Sequence, residues 1–90
     1  MAGAFRMDDA RDHFAHCVQV LGGVTTASRR LGIDERAIRR FINGERPFGA
    51  RLLEDTASAL RQMTAEAEAA NAELAALLAA WPGDPQSPRG

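Results

Sequence analysis

From Ala50 to Trp81 the chain contains neither glycine nor proline. Alanine, leucine, glutamate and arginine dominate this run, and all are good helix formers. Read as one helix it is about 48 Å long at about 1.5 Å per residue; a break near Thr64 would make two helices. Its apolar positions are Leu53, Leu60, Met63, Ala67, Ala70, Leu74, Leu77 and Trp81, with Thr56 filling the one gap. The steps alternate three and four, the seam of a helix that packs along another helix. The central alanines would let a partner approach closely. We therefore expect Met63, Ala67, Ala70, Leu74, Leu77 and Trp81 to pair two copies, with the Trp81 ring buried to anchor the helix end. The competing reading folds the same helix back on its own domain. Leu52, Leu53 and Leu60 can pack inward under either reading.

The rest of the chain also reads as helices, since no stretch alternates apolar and polar as a strand would. Asp8 or Asp9 is positioned to cap a first helix running to about Leu21. Phe14, Cys17, Val18 and Leu21 lie on one of its faces, and Gly22-Gly23 ends it. A short second helix covers "VTTASRRL". Gly32 forces a turn, and Asp34 is a suitable N-cap for a third helix, "ERAIRRFIN". Asn43-Gly44 closes that helix, and Pro47 and Gly49 keep "GERPFG" a loop. The final "PGDPQSPRG" is expected to be disordered. The fold class is thus all-α: a compact unit of four or five helices over 1–62, a C-terminal helix over 63–81 continuous with it, and a tail over 82–90.

Ninety residues bury only about 60% of their unfolded surface, so the core is modest and pairing would add to it. A single cysteine, Cys17, excludes an intrachain disulfide framework and fits a reducing, cytoplasmic setting. No signal-peptide pattern opens the chain and no apolar run is long enough for a membrane. The absence of lysine and tyrosine and the abundance of alanine suggest a GC-rich bacterial or phage source.

Charge is distributed unevenly. The net value is −1, yet seven arginines fall between Arg29 and Arg51. Residues 24–51 carry +4 and residues 52–81 carry −4. A near-neutral total therefore conceals a basic segment, the footprint expected of a protein that meets a polyanion.

Within that segment, residues 24–43 form a unit with a recognisable logic. Ser28 supplies a small side chain where two helices cross, and Gly32 the tight turn four residues later. Ala27, Leu31, Ile33, Ile38 and Phe41 fall at inward positions. Glu35, Arg36, Arg39, Arg40 and Asn43 fall outward. On these residues, the stretch from about 10 to 62 resembles the helix-turn-helix DNA-binding domain of the Cro/lambda-repressor type. That family usually has alanine where Ser28 stands, and often a separate fifth helix where this chain continues its long one.

The resemblance implies that the third helix enters the major groove of double-stranded DNA. Glu35, Arg36, Arg39 and Arg40 would then read bases, arginine taking guanine by a bidentate bond. Glu35 would accept from a cytosine amino group or instead orient Arg39, four residues on. Thr25 and Thr26 would place the start of the second helix at a phosphate. Asn43 and Arg46 match backbone-holding positions, and Arg29 and Arg51 are weaker phosphate candidates. Two modules on inverted half-sites about 34 Å apart are the usual solution for such a motif. The expected function is a homodimeric transcriptional regulator, most simply a repressor acting by occupancy. The alternative is a protein-interaction module, an antitoxin or adaptor, working through the long helix.

Other chemistry finds little support. His13, His16 and Cys17 offer only neighbouring ligands on one helix, whereas a structural zinc site needs four. The histidines read as partly exposed and Cys17 as a small core residue. No catalytic constellation or phosphate-cradling glycine loop occurs, and so short a helical chain has little room for a substrate pocket. No cofactor, metal, small-molecule ligand or enzyme activity is expected.

Overall fold

The computed structural model describes residues 5–83; the expected tail lies, from residue 84 on, outside the described residues. Four helices follow one another: α1 (Met7–Val20), α2 (Val24–Leu31), α3 (Glu35–Asn43) and α4 (Ala50–Ala80). The fold is all-α, with four helices rather than five among the described residues. Helix α4 runs unbroken through Thr64 and through the expected boundary at 62/63.

The helix ends follow from glycine. Gly32 and Gly44 sit at φ +70° and +78°, the left-handed geometry that closes α2 and α3. At the first, the amides of Gly32 and Ile33 both donate to the Ser28 carbonyl. The Ser28 hydroxyl in turn donates to the Ile33 carbonyl. The serine thus ties down the turn with a bond that alanine has no atom to make. At the second, the amides of Glu45 and Arg46 both donate to the Arg40 carbonyl.

The helix starts depart from expectation. Arg6, not an aspartate, occupies the N-cap of α1, and Asp8 and Asp9 lie inside its first turn. There they favour the helix through its positive end rather than through a capping bond. Asp34 does occupy the N-cap of α3, in extended geometry, but its side chain makes no capping hydrogen bond.

The core gathers Phe14, Val18 and Leu21 of the first segment, Ala27 of α2, Ile38 and Phe41 of α3, and Ala59 of α4. Cys17 is buried beside them. Val24, Leu31, Ile33, Leu52, Leu53, Leu60 and Met63 pack around its edge. Phe48 returns from the loop to this core. Its ring lies 5.6 Å from Phe14 and 5.8 Å from Phe41, centroid to centroid. The buried Thr56 hydroxyl donates to the Leu52 carbonyl at 2.8 Å, so a polar residue in the apolar stripe is satisfied within its own helix.

Helices α3 and α4 each pack on α1 and α2. Only the first half of α4 takes part. From Thr64 on every residue of the helix is exposed, and the molecule extends over 60 × 35 × 21 Å. Met63, expected to lie at a pairing surface, packs against the core instead. Trp81 is the C-cap of α4 and is 60% exposed. Among the described residues of one chain its ring anchors nothing, because the helix has carried it beyond the other three helices.

Candidate nucleic-acid interface on α3

Helix α3 is held from behind. Ile38 and Phe41 point into the core, and Ala37 and Ile42 are half-buried beside them. At about 100° per residue, this leaves Arg36, Arg39, Arg40 and Asn43 within roughly a 100° arc on the opposite side. All four are exposed, whereas Glu35, at the margin of the arc, is half-buried. The fold therefore presents three guanidinium groups and a carboxamide together on one short helix.

The arginines of the basic segment divide into two sets. Arg30 bonds Glu66 of α4 at 2.8 Å. Arg51 pairs with Asp55, and Arg39 with Glu35, each at 3.3 Å and four residues apart. Among the described residues, Arg29, Arg36, Arg40 and Arg46 make no salt bridge. The Arg39–Glu35 pair is exposed, with side chains 60% and 38% accessible. Such a pair contributes at most about 1 kcal/mol and can be exchanged for another partner at small cost. Of the two roles open to Glu35 from its spacing, the one seen is the ion pair.

Arg46 lies past the end of α3, its guanidinium carbon 5.1 Å from the centre of the Phe41 ring. The ring positions the charge at the foot of the helix without neutralising it. Arg11 comes to the same foot from α1. A Cβ on Gly44 would lie 3.2 Å from the Arg11 guanidinium carbon, and Arg11 is also bonded to Asp8 at 2.8 Å. Sequence spacing alone did not bring Arg11 to this end of the molecule; only the packing of α1 on α3 does.

At the start of α2, Thr25 is exposed and Thr26 half-buried. Gly22 passes so close to Thr26 that an added Cβ would stand 3.2 Å from that side chain. Thr26 is thus partly committed to the turn between α1 and α2, while Thr25 is free. The His13 and His16 rings lie 5.8 Å apart on an exposed stretch of α1. No helix among the described residues is long and apolar enough to cross a membrane. Compared with protein-family profiles, with curated proteins and with solved structures, the chain matches none.

Proposed function

We propose that the protein binds double-stranded DNA through the outer face of α3 and acts as a homodimeric transcriptional regulator, repressing by occupying an operator of inverted half-sites. The observation that carries this reading is the set of exposed arginines on α3. The basic segment satisfies some of its charge internally, at Arg30 and Arg51, yet among the described residues Arg36 and Arg40 stand exposed without a salt bridge beside the loosely paired Arg39. Charge left in this arrangement on the rim of a rigid scaffold suits a polyanionic partner. Helix width and arginine geometry suit the major groove and guanine. Arg46, Asn43 and Thr25 surround the face at positions fit for phosphates.

The test is a mobility-shift titration on DNA flanking the gene, at two salt concentrations. Arg39→Ala or Arg40→Ala is expected to cost roughly 1–3 kcal/mol on the specific site and to relax base choice. Arg46→Ala is expected to weaken specific and random DNA alike. Specific and random affinities unchanged in all three variants would remove the groove assignment.

A second reading is favoured by a different observation. Leu74, Leu77, Leu78 and Trp81 are 55%, 58%, 71% and 60% exposed on the free half of α4. A protein-interaction module, such as an antitoxin or adaptor, would use this face and leave α3 idle. Loss of DNA binding in the Arg39 and Arg40 variants would decide against it.

A further inference from the structure

The four exposed side chains at the end of α4 have counterparts within the same helix. Leu74, Leu77, Leu78 and Trp81 stand about five helical turns beyond Thr56, Ala59, Leu60 and Met63. A whole number of turns returns them to the same side of the helix. The earlier four are buried or half-buried against the body formed by α1, α2 and α3. The later four therefore face the side on which that body lies, roughly 27 Å further along the rod. The body reaches as far as Glu66, which Arg30 of α2 holds at 2.8 Å. Beyond it, the seam continues through Ala67 and Ala70, both exposed, with no other described element against it.

This geometry restricts how a second copy pairs. In a parallel, in-register pair the two seams would face each other along their whole length. The body of each copy already fills the space where the other copy's residues 53–66 would run. In an antiparallel pair only the free halves overlap, and each body lies beyond the end of the other's helix. We infer that two copies associate through about the last three turns of α4 in antiparallel fashion, Leu74 opposite Leu77 of the second copy and Ala70 beneath Trp81 of the second copy. The inference rests on the self-pairing in the function proposed above and adds its direction and register.

Size and charge agree with this register. The largest side chain of the seam meets one of its smallest, and the two leucines fill the middle. Glu73 flanks Ala80 of the second copy. Sliding the pair toward greater overlap, centred near Ala70, would bring Glu73 against Glu73 or Glu66 of the second copy, a like-charge contact that costs free energy. The sliding would also drive the helix end into the body. Pro82 terminates each helix before it reaches the other's domain. Two such faces cover on the order of 1,000 Å², the low end for a specific interface, so the affinity expected is micromolar rather than nanomolar.

The experiment is disulfide trapping, with sedimentation on the same samples. Cys17 is buried and stays out of the reaction. Ala70→Cys and Trp81→Cys are each expected to form no covalent dimer alone, because their own copies lie about 16 Å apart along the axis. Mixed, they are expected to link. Ala70→Cys linking to itself would show either parallel pairing or an antiparallel pair centred on Ala70, and both overturn the inference; so would an unlinked mixture whose sedimentation still shows association. Because Trp81→Cys removes contact area, Ala70→Leu supplies a second reading. It crowds the opposing indole and should weaken association about tenfold, whereas in a parallel pair it would extend the leucine seam and tighten it. A wild-type chain that sediments as a monomer at millimolar concentration would remove self-pairing itself. Wrong linkage with association intact would remove only the direction or register.

Discussion

Single residues carry much of this molecule's local definition. Gly44 combines a positive φ with a guanidinium packed over its Cα. Gly44→Ala is expected to cost more than about 1 kcal/mol of stability, since both strain and crowding oppose the methyl group. A denaturant midpoint lowered without a change of slope would show it. Cys17 contributes a pH dependence. Burial raises its thiol above the ordinary range. As pH climbs past about 8.5, the unfolded chain therefore ionises first and the native state loses stability. The loss is absent below that pH, where both states hold the proton. Comparing Cys17→Ala with the wild type by thermal melts between neutral and mildly alkaline pH isolates this contribution. A wild-type melting temperature that falls no faster with pH than that of the variant would refute it.

At the scale of elements, the sequence is most informative where backbone geometry depends on glycine. The ends of α2 and α3 were legible because glycine takes the left-handed geometry that closes a helix without the steric cost other residues meet there. Helix starts were less so. An aspartate near the start of α1 looked like a cap, but it favours the first turn as much as the cap position, and the helix began earlier. The segment from Gly44 to Gly49 was legible only as a loop. Nothing in "GERPFG" marks Phe48 as a core residue, because a single aromatic has no periodicity. In the fold it closes a cluster with Phe14 and Phe41. Phe48→Ala is expected to destabilise the domain by about 2–3 kcal/mol and to loosen the Arg46 position at the foot of α3. Calorimetry measures the first effect. The second would appear as a loss of affinity for DNA of any sequence. The face of α3 was legible residue by residue, since a helix of known phase sorts inward from outward. Which arginines would be neutralised was only partly so. Arg39–Glu35 follows from spacing along one helix, but Arg30–Glu66 joins residues that only the tertiary fold brings together.

For the whole molecule, shape is the dominant property. The radius of gyration is 19.2 Å, against about 12 Å for a compact domain of this length. The difference comes from the half of α4 that leaves the body. The seam was readable in the sequence, but its division was not. One periodic stripe serves the chain's own core as far as Met63 and is then free, and periodicity carries no mark of that change. Leu74→Glu is accordingly expected to leave the fold and its melting temperature nearly unchanged while abolishing self-association. Sedimentation of the variant as a dimer would contradict this. Deuterium uptake at the backbone amides should likewise rise from about Thr64 onward in dilute solution, because the remaining turns form too short a helix to be firm by themselves. Under the self-pairing inferred above, the stiffness of this arm would become a function of how many copies are present. At low abundance its outer turns would unwind and rewind freely, and at high abundance they would be held, which would let the chain register its own dosage without any small molecule to report it.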